Sequence, residues 1–557
     1  MPNRILVAVA WPYANSSLHL GQIAGCYLPA DIFARYQRLS GNDVMMVSGS
    51  DQHGTPVTIR AEQENVSPQK IVNKYHSEFL DGWKKLGINF DLFTTTGTDN
   101  HKQVASDIFV TLQKNGYLYT STIKQAYCTK DKRFLPDRYV EGICPHCKFT
   151  NARGDQCDNC GKPLNAEELA NISCRLCGDT PEFTETTHFF FKLSAFQQQL
   201  LDWVKQQKHW RSNVLNFTTR YIEDGLKDRA ITRDINWGIP IPQKGYEDKR
   251  MYVWFEAVIG YLSATKELAI QTGNPDKWRD FWQDSSSRVY YFIGKDNIPF
   301  HTIIWPAMLM GYTNHNLPFD VPANEFLTLE GNQFSSSRNW AVWLPDYLDR
   351  YEPDPLRYYL SANMPENGDV DFSWTDFVRR NNDELVATYG NLVHRVLSFT
   401  HRQFDGKVPK PGLLDEEDLV ILNNAEKSIK TVGQSINNCH FREAVRGFLS
   451  LAQEANRYLD SKAPWKSIKT DHSAASTSLW VCINIISCLK TLTLPFLPFS
   501  AEKLHSLLGF DGTPNEIGWS IQEVPAGQIF PEPTPLFTKF DNDVAEKEVS
   551  RLKELSN

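Results

Sequence analysis

The sequence predicts an α/β protein: a doubly wound parallel domain, interrupted by a cysteine-rich insertion and followed by an all-α helix bundle. Three observations carry that expectation. Short apolar strands alternate with helical patterns up to residue 118 and again from residue 249. Six of the eleven cysteines form three Cys-x-x-Cys pairs between Cys144 and Cys177. The last ~180 residues carry apolar positions at helical spacing.

The first element, "RILVAVAW", is a short apolar run of the kind buried on both faces of a parallel sheet. A helix follows from about His19 to Ser40, with Leu20, Ile23, Tyr27 and Tyr36 near one face and Gly41 as its terminator. "DVMMVSG" is the second strand. It runs through the polar loop "SDQHGTP" towards a helix around "EFLDGWKKLGI". Ligands of such sheets bind beyond the carboxyl ends of the strands. The residues of interest are therefore Tyr13 to Gln22 and Ser50 to His53.

The alternation breaks near residue 118, and residues 119–248 read as an insertion. It resumes over residues 249–325 with "RMYVWFEAVIGYL" and with "RVYYFIGKDNIPFHTIIWPAML", a strand, a polar turn and a helix. Residues 326–380, with "NEFLTLEGNQFSSSRNW", form a transition segment. From 381 to 557 the pattern is helical, and Phe441, Ala444, Val445, Phe448, Ala452, Ala455 and Leu459 line one face.

A net charge of −8 and a pI near 6.0 exclude a protein coated in nucleic acid, so any such contact needs a local basic surface. Apolar and charged fractions of 41% and 22% are those of a soluble globular chain. No run reaches the ~20 apolar residues of a bilayer span. The N-terminus is a poor signal peptide. A cytoplasmic protein without membrane contact is expected. In that compartment paired cysteines read as metal ligands.

"CPHC" (Cys144, Cys147) and "CDNC" (Cys157, Cys160) lie nine residues apart. Two such knuckles complete a tetrahedral S4 zinc site, with Gly142, Gly154 and Gly161 easing the turns. "CRLC" (Cys174, Cys177) lacks a downstream partner pair, but "YCTKD" places Cys128 and Asp131 at the same spacing. A second site from Cys128, Asp131, Cys174 and Cys177 is chemically allowed; the alternative is an empty structural turn. Both sites read as structural.

A helix start presenting His19, Gly21 and Gln22 can hold phosphate through backbone N–H groups and the helix dipole. A histidine there is also an ordinary capping or packing residue. Three further segments go beyond that ambiguity. "GSDQHGTP", "YVWFEAVIGYL" and "FIGKDNIPFHTIIWPAML" together resemble the class I aminoacyl-tRNA synthetases, and among them the methionyl-tRNA synthetase family. "AWPYANSSLHLGQIAG" resembles that family's HIGH segment, and "LEGNQFSSSRNW" stands where its KMSKS loop belongs. "FLPDRYVEGICPHC" and "RDINWGIPIP" resemble its zinc-bearing insertion and the return to the catalytic domain. The likeness is close to about residue 380 and looser through "YGNLVHRV" and "SKAPWK".

The resemblance implies a Rossmann-like catalytic domain, an anticodon-binding bundle, and ATP-dependent attachment of methionine to tRNA(Met) through methionyl-adenylate. Asp51 would bind the methionine ammonium. Ala10, Tyr13, Trp254, Ala257, Tyr261 and His301 would surround the thioether. Gly294, Asp296 and Asn297 would meet ribose and adenine, and Mg2+ would accompany ATP. Asn391, Arg395 and Trp465 match its anticodon readers. The helical segment runs to the last residue without a further tRNA-binding module, so a monomer is expected.

Both signature motifs depart from the family. Gln22 replaces the last histidine of HIGH, and Gln333, Phe334, Ser335, Ser336 and Ser337 replace a loop with two lysines. Losing one well-aimed donor costs about 10²–10³ in rate. Lys295 and Arg338 are the cations placed to compensate, with Gln333 and Ser336 adding donors. The rival readings are a catalytically impaired tRNA-binding paralogue on this scaffold and a class I ligase for another apolar amino acid.

Overall fold

The structure, a computed structural model, describes residues 2–556 except 155, 156, 158, 161, 163, 165 and 337, with the side chain of 137 also left out. Gly161 and Ser337, named above in a knuckle turn and in the serine loop, lie outside the described residues.

Five parallel strands form the central sheet: β1 (Arg4–Val9), β2 (Asp43–Ser50), β3 (Leu92–Thr95), β4 (Arg288–Gly294) and β5 (Ala323–Asn324). Their order is β5-β4-β1-β2-β3. The run "RILVAVAW" becomes the central strand because nothing polar interrupts it, and Leu6, Val7, Ala8 and Val9 are fully buried. The chain builds outward from β1 to β3, then returns to add β4 and β5 on the other side of β1. This reversal opens a crevice beyond the carboxyl ends of β1 and β4, where ligands of doubly wound sheets bind.

The first helix runs almost over its expected length. It comprises Leu20–Gln22, a wide π turn at Ile23–Tyr27, and Leu28–Leu39, closed by Gly41 at φ 81°. A second π turn, Phe300–Ile304, carries His301. Such turns are frequent at functional sites, and these two flank the crevice.

The insertion is built on a long antiparallel pair, Leu118–Cys128 with Glu182–Phe191. Beyond it a small sheet of Val140–Ile143, Ala152–Arg153 and Ala170–Cys174 carries the cysteine turns. Thr232–Arg233 pairs with Arg250–Met251 on the way back to the main sheet.

In the bundle, helix Phe441–Lys462 buries all seven apolar residues expected on one face. Its neighbour His472–Thr493 departs from the expectation that no run could span a bilayer. It has 22 residues and a mean hydropathy of 1.3 over its best window, of which 94% is buried. Helices Glu416–Asn437 and Phe441–Lys462 pack against it, so it is apolar because it is the bundle's core. A buried arginine ties bundle to sheet domain. Arg357 is wholly buried and donates to the Asp31 carboxylate (2.7 Å) and to the carbonyls of Leu86 (3.2 Å), Pro495 (2.9 Å) and Phe496 (2.7 Å). The last helix, Val544–Ser556, returns onto the transition segment through Arg350–Glu548 and Arg551–Asp346 ion pairs.

Candidate active site

The loops after β1 and β2 are laced together. Asp51 N–H donates to Pro12 O (2.8 Å) and Ala14 N–H to Asp51 O (2.9 Å), which sets Tyr13 beside Asp51. Ala10 N–H donates to Phe292 O of β4 (3.1 Å). Trp254 Nε1 donates to the Tyr13 hydroxyl (2.7 Å), bringing in the short helix Val253–Glu256 and with it Ala257. A Cβ on Gly54 would lie 2.3 Å from the Tyr13 ring, so glycine is required there.

Asp51 is 3% exposed, and its Oδ1 accepts the His53 backbone N–H (3.1 Å). Burial and then the nearby Glu256 carboxylate push its acid group well above the ordinary range. A cation placed there would offset both effects. Away from Asp51, the Tyr261 hydroxyl meets His301 Nε2 (2.7 Å), while His301 Nδ1 meets Asn297 O (2.9 Å). A carbonyl only accepts, so Nδ1 carries the ring proton and Nε2 accepts the hydrogen bond that the Tyr261 hydroxyl donates. Burial holds His301 down at about 4, so the pair is neutral at physiological pH. A neutral, aromatic-lined slot suits an apolar, polarizable side chain.

The sequence reading missed Trp11, a member of the same wall. Its indole lies between Gly49 and Gly260, where a Cβ would come within 2.4 and 2.7 Å, and 6.4 Å from the Tyr261 ring. The two glycines, one in an apolar strand and one opening a helix, were the available signal. The reading also missed Glu256, whose carboxylate takes His53 Nδ1 (2.7 Å) on one oxygen and His101 Nε2 (2.6 Å) on the other.

His19 begins the helical turn Leu20–Gln22. Gln22 Oε1 accepts the His19 N–H (3.0 Å), so this oxygen caps the turn. A Cβ on Gly21 would lie 3.0 Å from the His19 ring. Burial holds His19 at about 4, and its Nδ1 is buried without a hydrogen-bond partner among the described residues. The serine loop lies over it. The Phe334 ring stacks on the imidazole at 4.8 Å and 15°, while Leu20 N–H donates to Val342 O (3.1 Å) and Leu344 N–H to Leu18 O (2.7 Å). Gln333 and Ser336 are exposed, and Ser335 and Trp340 close the loop by paired backbone bonds of 2.9 and 3.0 Å.

The two candidate cations differ. Lys295 is held by Glu325 (2.9 Å) and Asp369 (2.7 Å) and lies over the Phe326 ring. Arg338 is exposed, its Nε donates to Ser335 Oγ (3.1 Å), and it has no ion pair among the described residues. Gly294, Asp296 and Asn297 sit at the end of β4. Asn297 Nδ2 donates to Asp296 Oδ1 (3.3 Å), and a Cβ on Gly294 would come within 2.9 Å of that oxygen.

In the bundle, Asn391 opens helix Asn391–Gln403, and Arg395 follows one turn later on the same face. The Arg395 guanidinium lies 5.2 Å from the half-exposed Trp465 ring and pairs with Asp460 (2.6 Å). Both cysteine groups close up. In each, all four donor atoms lie within 4.8 Å of one another. Sulfur separations of 3.9 Å (Cys144–Cys160), 3.6 Å (Cys147–Cys157) and 3.5 Å (Cys128–Cys177) match the ~3.8 Å edge of a tetrahedron with Zn–S bonds of about 2.3 Å. Asp131 Oδ2 lies 3.3 Å from Cys128 Sγ and 3.2 Å from Cys174 Sγ. The Phe149 N–H and the Asn159 amide hold the Cys147 thiol well below its usual range, favouring the thiolate a metal needs.

Comparison with known proteins points one way. Residues 5–397 match the family model described as tRNA synthetases class I (M). Residues 408–555 match the anticodon binding domain of methionyl tRNA ligase. A methionine–tRNA ligase of Dehalococcoides mccartyi is 57% identical over 99% of this chain and 100% of its own length. One from Thermomicrobium roseum is 53% identical over 99% of each. Mycobacterium tuberculosis methionyl-tRNA synthetase in complex with methionyl-adenylate superposes with a TM-score of 0.81, at 25% identity, covering 96% of this chain and 100% of that one.

Proposed function

The chain belongs to the class I tRNA synthetases of the methionyl type, and on that premise we propose that it is an ATP-dependent methionine–tRNA ligase whose lysine-free loop is catalytically competent. The observation that carries this is the pocket at the strand reversal. A buried carboxylate, Asp51, lies beside Tyr13, whose hydroxyl takes the Trp254 indole N–H, and Trp11 packs near a neutral Tyr261–His301 pair.

Asp51 receives the ammonium of methionine, which fixes the carboxylate end of the amino acid towards the crevice. The aromatic slot takes the thioether. Gly294, Asp296 and Asn297 hold the ribose and adenine of ATP, and the Gly21 N–H and the His19 ring meet its phosphates, the N–H groups of His19, Leu20 and Gln22 being taken by Gln22 Oε1, Val342 O and His19 O. His19 Nδ1, buried without a partner among the described residues, gains one from a phosphate oxygen, a group whose isolation otherwise costs about 1–3 kcal/mol. Mg2+ accompanying the nucleotide would offset phosphate charge. The methionine carboxylate then attacks the α-phosphorus in line, methionyl-adenylate forms, and pyrophosphate leaves past the serine loop. Arg338 meets the departing charge, with Gln333 and Ser336 as further donors; Lys295, committed to two carboxylates, contributes less. A hydroxyl of the terminal adenosine of tRNA(Met) finally attacks the adenylate carbonyl, taking the methionyl group as an ester while AMP leaves. No covalent enzyme intermediate is needed, so catalysis is positioning and charge stabilisation.

Asn391, Arg395 and Trp465 read the anticodon, the indole stacking a base and the polar groups bonding its edges. Cys144, Cys147, Cys157 and Cys160 hold a structural Zn2+, and Cys128, Asp131, Cys174 and Cys177 a second. None of the eleven cysteines is in a disulfide, which suits a reducing cytosol. Charging of a tRNA(Met) transcript tests the reading. Methionine is expected to be esterified, and valine, isoleucine and leucine at under about a hundredth of its rate. Equal charging of valine or isoleucine would overturn the assignment of the pocket.

A further inference from the structure

Glu256 is a buried group beside the crevice for which the mechanism above has no use. It is fully buried in the short helix that carries Trp254 of the thioether slot and leads into Ala257. Its two oxygens are taken by histidines from two other segments. His53 comes from the loop after β2, and His101 from helix Asp99–Lys114. Ser263 Oγ donates to Gly260 O (3.1 Å) and contacts His101 Nδ1 (2.8 Å), which fixes the far side of that ring. His53 is bound at both ends. Its ring holds Glu256, and its backbone N–H holds Asp51 Oδ1 at 3.1 Å.

A buried carboxylate kept for packing alone is costly, and this one joins the three segments behind the ammonium site. We propose that Glu256 is a positioning residue for methionine binding, acting on Asp51 through His53 and setting the charge that Asp51 works against. The proposal rests on Asp51 being the ammonium acceptor. Glu256 faces Asp51 from the neighbouring helix, and its negative charge raises the Asp51 acid group after burial has done so. The His53 and His101 rings face Glu256 in turn and offset that charge. Glu267, held by Thr94 (3.0 Å), is the next carboxylate; burial raises its acid group, and Thr94 and His101 draw it back down.

The arrangement makes a prediction with two opposite signs. Glu256→Gln keeps the shape and removes the charge, so Asp51 ionises more readily. His53→Asn leaves Glu256 charged and removes one of its two partners, so Asp51 ionises less readily. The readout is the pH profile of kcat/KM for methionine in pyrophosphate exchange, with the KM for ATP measured alongside. In Glu256→Gln the acid limb is expected to move to lower pH by at least half a unit. The methionine KM at neutral pH should rise at least tenfold, with the ATP KM within twofold. In His53→Asn the limb is expected to move to higher pH, again with the ATP KM unchanged. General loosening of the fold cannot give opposite signs.

Limbs that stay in place, or that move the same way in both variants, overturn the proposal, as does an ATP KM that rises with the methionine KM. If Glu256→Gln does not fold, His53→Asn decides alone: an unmoved limb overturns it. Asp51→Asn separates the two levels of the argument. Normal methionine binding in that variant would sink the Asp51 assignment and this inference with it. Loss of methionine binding there, with both other variants unaffected, would sink only the role of Glu256.

Discussion

Arg338 and Lys295 are both cations in matching segments, yet their surroundings assign them different work. Lys295 is neutralised by carboxylates 30 and 74 residues further on, Glu325 and Asp369, which no local pattern could reveal. Arg338 donates to Ser335 Oγ and has no ion pair among the described residues. Arg338→Ala should therefore lower methionine-dependent pyrophosphate exchange by ~10²–10³. Lys295→Ala should cost under about tenfold, the scale of a partly exposed pair. Tyr261→Phe leaves His301 Nε2 unpaired, worth about 1–3 kcal/mol, and the methionine KM should rise roughly tenfold with the ATP KM unchanged. The sign of the pH dependence follows from Asp51. Its free acid group is raised, and the ammonium needs the carboxylate, so binding releases a proton. The kcat/KM for methionine should fall as pH drops through that raised value, while the nucleotide KM holds. Asp51 itself was legible as a polar residue at a strand end. Trp11 and Glu256 were not, because an indole between two distant glycines and a carboxylate between two distant histidines exist only after folding.

Single elements were easiest to read where one physical signal dominated. An uninterrupted apolar run made β1, and a 3.6-residue period made Phe441–Lys462. The cysteine spacing made Cys144, Cys147, Cys157 and Cys160 legible as one group, since a knuckle turn is a local structure; for Cys128, Asp131, Cys174 and Cys177 it left an empty turn open, and only folding brings those four donor atoms together. Helix His472–Thr493 was harder, because a helix surrounded by other helices loses the polar face that gives the period away. The metal groups carry their own prediction. The small sheet of Val140–Ile143, Ala152–Arg153 and Ala170–Cys174 has too little core to stand alone. Chelation, or Cys147→Ser, should abolish hydrogen-exchange protection there and leave β1 to β4 protected. Zinc analysis is expected to give two equivalents in the unaltered protein. A single equivalent would mean that Cys128, Asp131, Cys174 and Cys177 form an empty turn.

Across the whole molecule, the sheet domain, the transition segment and the bundle meet at Arg357, whose guanidinium is shared between Asp31 and carbonyls of both other parts. Asp31→Asn strands a buried cation and should cost about 3–5 kcal/mol, read as a lowered denaturation midpoint. Such a joint holds the anticodon face of the bundle in a fixed relation to the crevice. Trp465→Ala should accordingly weaken tRNA charging while leaving adenylate formation untouched. In sedimentation a single chain is the expected species, and a stable dimer would contradict that. The central claim is that a crevice with an altered HIGH helix and no loop lysine still activates methionine. Methionine-dependent exchange of labelled pyrophosphate into ATP measures this most directly. Robust exchange is expected in the unaltered protein. No exchange, with tight binding of tRNA(Met) retained, would contradict it and leave a tRNA binder on a synthetase scaffold.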